Sequence, residues 1–193
     1  APPAHAPPIG RLHLVAAVGA LSTFGPIAMD LYLPALPRLA DSLGAGDALG
    51  QLTMSSCMVG LAGGQLIAGP LSDRLGRRGP LLWGVGLFAL TSFLCALAPT
   101  IEVLLVLRLL NGLAGAAGIV LGRAIVRDLH EGAEAARLFA LLVLVAGTAL
   151  VLAPLLGSQL LHVTDWRGLF VALGVLGLGL LATAWTLPET LPP

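Results

Sequence analysis

The sequence predicts an all-α membrane protein of six transmembrane helices, and three observations carry that expectation. Of the 193 residues, 57% are hydrophobic and only 10% charged, with a mean hydropathy of +0.95. A soluble domain of this composition could not surround its core with a wettable surface. Six apolar runs are each long enough to cross ~30 Å of hydrocarbon at ~1.5 Å per residue. No run shows the ~10-residue alternation of apolar and polar positions that marks a strand of a transmembrane barrel.

The first run, at about 12–36, is too long for the apolar region of a signal peptide and has no convincing cleavage site, so it reads as a retained helix. The preceding "APPAHAPPIG" places a disordered tail over residues 1–11. The second run, about 49–71, follows the Gly-rich "DSLGAGDA" and ends in "IAGPLSD". The third, about 80–98, begins after an arginine cluster, and the fourth, about 101–122, follows almost at once. The fifth, about 137–160, comes after the charged "RDLHEGAEAAR" and contains "LAPLLGS"; the sixth, about 168–187, leaves residues 188–193 as a short tail. Glycine and proline are tolerated in such helices because neighbours in a bundle re-satisfy freed backbone groups. The six helices form one bundle over 12–187, with a Gly/Pro-interrupted helix in the middle of each triplet. That pattern hints at a three-plus-three inverted repeat, as in secondary transporters.

All ten basic residues are arginine. Arg11, Arg74, Arg77, Arg78, Arg123, Arg127 and Arg137 fall on one side of the expected topology, and only Arg38 and Arg167 on the other. By the positive-inside rule the crowded side is cytoplasmic, and both termini face it. Zero net charge conceals this asymmetry.

Within the apolar runs, Asp30 and Arg108 stand out. A charge at mid-membrane costs ~2.5–3.5 kcal/mol on insertion scales, so each needs a partner, a watery cavity or, for the acid, a proton. Asp30 lies seven residues before Pro37 and Arg108 seven after Ile101, about 10 Å from the outer end in each case. The two can therefore sit level. Thr23, Pro26, Asp30, Pro34 and Pro37 share one face of the first helix, while Arg108, Gly112, Gly115, Ile119 and Gly122 share a face of the fourth, where glycines permit close approach. A carboxylate alternating between an Arg108-attracted and a protonated state is what coupling to a proton gradient requires; a static ion pair is the competing reading. Thr23, Tyr32, Gln65 and Asn111 are cavity-lining candidates, although such side chains also bridge helices.

Cys57 and Cys95 fall inside helices without a paired motif, and the four histidines are scattered, so no metal site and no disulfide framework is expected. An intramembrane serine protease would need a Gly-x-Ser-Gly nucleophile; "LGSQLLH" places Ser158 and His162 at helical spacing but lacks that pattern. No selectivity-filter sequence or charged ring argues for a channel. Nor does anything point to nucleic acid.

Four stretches carry a family resemblance. "GPLSDRLGRRGPLL" (69–82) resembles the loop signature of the major facilitator superfamily at Gly69, Asp73, Arg74, Gly76, Arg77 and Arg78. "RLLNGLAGAAG" (108–118) is similar to the helix 4 signature R-x-x-q-G-x-g-a-a, with Asn111 where glutamine is usual. "DLYLPALP" (30–37) resembles the helix 1 motif of Bcr/CflA-type drug:proton antiporters, and "LPETL" (187–191) the exit of helix 6. The antiporter motif of helix 5, G-x-x-x-G-P-x-x-G-G, appears as "ALVLAPLLGS" (149–158). There Ala149, Ala153 and Ser158 replace glycine, while Pro154 and Gly157 are kept for packing. The resemblance implies proton-driven export of amphipathic drugs such as chloramphenicol or bicyclomycin, without a cofactor, across a bacterial inner membrane.

Asp73 can accept hydrogen bonds from helix N-termini or arginine, and Gly76 permits a tight turn. Arg123 or Arg127 is expected to pair with Asp73 in one conformation and release it in another, a cytoplasmic latch. Members of the family have twelve helices, whereas this chain resembles only the amino-terminal six. A second six-helix half, in the same polypeptide or another chain, is expected as partner beside the bilayer, the drug-like substrate and protons. A truncated, non-transporting remnant is the alternative.

Overall fold

The computed structural model describes residues 11–130, 132–187 and 189; the expected tail over residues 1–10 and most of that over 188–193 lie outside them. Every regular element among the described residues is helical: α1 (Arg11–Asp30), a 3₁₀ turn (Leu33–Ala35), α2 (Leu36–Ser42), α3 (Asp47–Leu75), α4 (Arg78–Ala96), α5 (Ile101–Leu129), α6 (Gly132–Leu160) and α7 (Trp166–Trp185). Five of these are long and apolar enough to cross a membrane. A sixth span arises if the bent pair Ala16–Thr23 and Ile27–Ser42, inclined at 41°, counts as one.

Local chemistry explains the helix ends. The 3₁₀ turn carries Pro34 and α2 carries Pro37 near its start, where a missing N–H costs little. Thr100 caps α5 by accepting from the Val103 amide, and Asp165 caps α7 by accepting from Gly168 at 3.1 Å. At the end of α3, Gly76 adopts φ +87, a left-handed value that favours glycine.

Three helices outrun their apolar cores. α3, α5 and α6 have 29 residues each, about 43 Å at helical rise against ~30 Å of hydrocarbon. Thus α5 continues past the expected 122 to Leu129, and α6 starts at Gly132 rather than 137. Hydropathy marks only the part of a helix in hydrocarbon. Beyond it, the charged "RDL" and "EAAR" segments stay helical in the headgroup region, and the expected loop nearly disappears.

The central helix is α5. In its most apolar window 56% is buried, against 17% for α6. α3 packs along α5, α4 along α7 and α5, and α1 along α5 and α6. The middle span of each triplet therefore lies on the first span of the other, as an internal two-fold exchange requires. Glycines set the approach: a methyl group added at Gly60 or Gly64 would collide with the Leu109 or Leu113 carbonyl of α5, one at Gly112 with the Cys57 carbonyl, and one at Gly157 with the Leu31 carbonyl. Gly115 has only ordinary contacts, the nearest being the Gly25 α-carbon at 3.6 Å, and Pro154 lies half-buried inside α6. At the end opposite the arginine cluster, Trp166 Nε1 donates to Ser42 Oγ at 2.7 Å and Arg167 to the Ala96 carbonyl at 2.6 Å. These bonds join α2, α7 and α4.

Gly60→Val should force α3 off α5 and destabilise the bundle by ~1–3 kcal/mol or more. Gly63→Ala, with nothing within 4 Å of the added carbon, should not. Thermal unfolding of the purified protein in detergent, with both variants side by side, checks the contrast.

Candidate functional site

Arg108 is fully buried, the largest side chain so enclosed. Its Nη1 donates to Asn111 Oδ1 at 3.1 Å, its Nη2 to the Ala28 carbonyl at 3.4 Å, and its Nε finds no acceptor. The guanidinium carbon stands 4.2 Å from the centre of the Tyr32 ring and 5.5 Å from that of Phe170, close enough for cation–π attraction worth ~2 kcal/mol or more when desolvated. Arg108 is thus held by a neutral amide, a carbonyl and two aromatic faces.

The orientation of Asn111 follows from its neighbours. Thr91 and Ser92 of α4 give their hydroxyl protons to backbone carbonyls of their own helix, Ser92 to Phe88 at 2.8 Å and Thr91 to Leu87 at 2.8 Å. Both oxygens can then only accept, and each takes the Asn111 amide Nδ2 at 3.0 Å. That leaves Oδ1 to face Arg108. Tyr32 is fixed likewise: Thr53 donates to the Gly50 carbonyl at 2.6 Å, so the Tyr32 hydroxyl, 3.2 Å away, is the donor to Thr53.

The expected ion pair between Asp30 and Arg108 does not form in this structure. Asp30 is half-buried, and among the described residues its carboxylate has no hydrogen-bond or ion-pair partner. The reason is azimuth rather than depth: Ala28 and Asp30 point roughly 200° apart on a helix, and the Ala28 side faces the guanidinium. The four cavity candidates fall in different surroundings. Tyr32 and Asn111 are buried walls of the Arg108 enclosure with their polar atoms engaged, and Thr23 is buried and bonded to the Ala20 carbonyl at 3.0 Å. Only Gln65, on α3, is exposed.

A second cluster lies at the arginine-rich end. Arg77, 4% exposed, sends Nη1 to Asp73 Oδ1 at 2.5 Å and to Ser72 Oγ at 2.7 Å, and Nε to Asp128 Oδ2 at 2.9 Å. One side chain thereby joins the end of α3 to the end of α5. Burial works against its charge, but the Asp128 and Asp73 carboxylates outweigh it and hold the Arg77 pKa above the ordinary arginine value. In this structure Asp73 is paired with Arg77. The i, i+4 spacing across the α3–α4 turn brings Arg77 closer. Arg123 and Arg127 are exposed and line a depression of about 450 Å³ together with Gly69, Asp73 and Arg77. Arg74 is exposed on α3, and Arg78 Nη2 donates to the Trp185 carbonyl at 3.0 Å. Glu189 accepts from the backbone amides of Arg77 at 2.7 Å and Arg78 at 3.1 Å. A side chain at position 76 would meet that carboxylate, a second reason for glycine there.

The family model described as Major Facilitator Superfamily matches residues 16–193. The chain belongs to the major facilitator superfamily. It is similar to an uncharacterized superfamily transporter of Bacillus subtilis (strain 168), YdgK, at 45% identity over 185 residues, covering 94% of this chain and 46% of the relative. A chloramphenicol resistance protein of Pseudomonas aeruginosa is 39% identical over 186 residues, 93% of this chain and 44% of that protein. The multidrug resistance protein MdtL of Escherichia coli (strain K12 / DH10B) is 34% identical over 174 residues, 90% and 44% respectively. The chain spans about half the length of the curated relatives it matches. Among solved structures, the proton:xylose symporter XylE superposes with TM-score 0.82 at 15% identity over 93% of this chain and 45% of that one. The human organic anion transporter MFSD10 gives 0.76 at 22%, over 97% and 49%. Both show the superfamily's half-transporter fold, and the relatives are transporters rather than enzymes.

Sequence reasoning on this superfamily member missed Asp128, Glu189, Ser72 and Phe170. "LPETL" and "RDLHEG" held the signal for the two acids, each a carboxylate at the charged end of a span.

The exposures of the two Arg77 partners differ, 13% for the Asp128 side chain and 60% for that of Asp73. Solvent screens the second, so Asp73→Asn should cost at most ~1 kcal/mol. Asp128→Asn should cost more and be less sensitive to salt. Melting temperatures at low and high ionic strength separate the two.

Proposed function

We propose that this chain is the amino-terminal half of a proton-coupled multidrug exporter of a bacterial inner membrane, working by alternating access. It uses no cofactor, draws on the proton gradient, and takes amphipathic drug-like molecules. The second six-helix half comes from the rest of a longer polypeptide or from another chain. The observation that carries the reading is the segment 28–32: Ala28 and Tyr32 hold Arg108, and between them Asp30 offers a carboxylate that has no partner among the described residues. Any movement of this segment changes the distance between the acid and a fixed positive charge. Proton affinity at Asp30 therefore follows conformation. Arginine keeps its charge throughout and acts as the constant field.

In the same reading Gly69, Asp73, Arg74, Gly76, Arg77 and Arg78 form a conformational latch. Asp73 leaves Arg77 for Arg123 or Arg127, which border the same depression, when the arginine-rich end opens. Thr23 and Gln65 remain candidates for lining the substrate path in other states. Support for drug export comes from the relatives named for chloramphenicol and multidrug resistance.

Asp30→Asn should abolish proton-coupled efflux while leaving insertion and folding intact. Drug accumulation in cells expressing the chain joined to a second six-helix half reads the first, and membrane yield the second. Unchanged efflux would remove Asp30 from the mechanism. Expressing the unaltered 193-residue chain alone in the same assay separates a working half from a non-transporting one.

A further inference from the structure

On the side of the bundle where α4 packs on α7, a groove of about 560 Å³ runs from the arginine-rich end toward mid-membrane. Gly79, Trp83, Gly86 and Leu90 of α4 form its floor and one wall, and Leu181 and Trp185 of α7 the other. The α4 residues recur at i, i+4, i+7 and i+11, one stripe of the helix. The glycines make it deep. Nothing lies within 4 Å of a carbon added at Gly79, and only Leu181 Cδ2, at 4.0 Å, near one added at Gly86. Trp83 and Trp185 stand 82% and 62% exposed on either side, the posture of tryptophans at a membrane interface.

At the mouth of the groove stands a cation with spare donors. Arg78 immediately precedes Gly79. Its Nη2 is drawn to the Trp185 carbonyl, its Nε is enclosed with no acceptor among the described residues, and Nη1 has no partner there. Glu189 approaches the Arg78 backbone amide rather than its guanidinium. An apolar slot of acyl-chain width, two interfacial indoles and an under-used guanidinium at the headgroup level are complementary to one kind of molecule.

We propose that this groove is a binding site for an anionic phospholipid of the arginine-rich leaflet, with one acyl chain along Gly79–Gly86 and the phosphate on Arg78. The guanidinium matches a phosphate bidentately, and the glycine floor admits the chain where side chains elsewhere on α4 would exclude it. The site lies outside the Arg108 enclosure and does not depend on the transport reading. It makes the α4–α7 pair sensitive to leaflet composition.

The test reconstitutes the full chain in phosphatidylcholine vesicles containing phosphatidylglycerol, with bromine on the acyl chains of one lipid at a time, and reads tryptophan fluorescence. Trp83 and Trp185 report on the groove; Trp166, 3% exposed at the far end, supplies a constant background. Brominated phosphatidylglycerol should reach the tryptophans with about fivefold preference over brominated phosphatidylcholine. Arg78→Gln should reduce the preference to about one, and Arg78→Lys should retain most of it. Arg74→Gln, which removes a charge exposed on the neighbouring α3, should leave the preference unchanged. Gly86→Leu should fill the groove and reduce the preference for phosphatidylglycerol to about one. Equal quenching by the two lipids in the unaltered chain overturns the proposal. So does an Arg74→Gln effect equal to that of Arg78→Gln, which would mean general surface charge, or a preference indifferent to Gly86→Leu.

Discussion

The arrangement of this half-bundle follows from the need to house one guanidinium in a place without water. A bare cation there is prohibitively costly, and a carboxylate alongside it would fix the site as a static pair. Instead Arg108 is distributed over a backbone carbonyl, an amide oxygen and two ring faces, drawn from α1, α5, α7 and the turn after α1. Each support is itself pinned: Asn111 by the hydroxyls of α4, Tyr32 by Thr53 of α3. Five of the six spans thus converge on one charge, and their mutual positions are constrained by its solvation.

Glycine makes that convergence possible. The enclosure requires α3 and α5 to approach until backbone touches backbone at Gly60, Gly64 and Gly112, because no helix pair at ordinary separation could bring Thr53 and Asn111 to the same centre. Packing of this kind holds in lipid as well as in water, since it draws on dispersion and close fit rather than on expelling solvent. The arginine-rich end is built differently. There Arg77 and Glu189 bridge helix termini through charge-assisted bonds that are partly open to water, and such bonds exchange partners at small cost. A close-packed middle and a charge-bridged end reflect two different chemistries.

Depth was legible in the sequence and azimuth was not. Counting from Pro37 and Ile101 placed Asp30 and Arg108 near a common level, and the guanidinium does bond two residues from Asp30, at Ala28. Which face of α1 turns inward depends on the 41° bend and the 3₁₀ turn, and a single displaced residue rotates the helix surface by about 100°. Hydropathy marks the apolar runs but not the helical extensions of α5 and α6 beyond them, because charged residues continue a helix as readily as apolar ones. Asp73 and Glu189 both lie in family motifs, but only Asp73 carries an expected role; Asp128 lies in none, and the part the two other acids play appears only where the helix ends meet. Asn111 looked like a cavity residue because its environment, two spent hydroxyls on α4, is written in a different helix.

The unequal covering of the helices bears on which group can change protonation. α5 is wrapped by its neighbours and carries the buried arginine, while Asp30 sits at the margin where α1 gives way to the 3₁₀ turn. The Arg108 guanidinium is fully enclosed, whereas the Asp30 carboxylate is only half-buried. In the proposed mechanism the arginine keeps its charge and Asp30 is the group whose protonation changes. Were Asp30 placed on the inward face beside Ala28, a buried ion pair would form, and in the proposed mechanism the segment would have to break it before the acid could take up a proton.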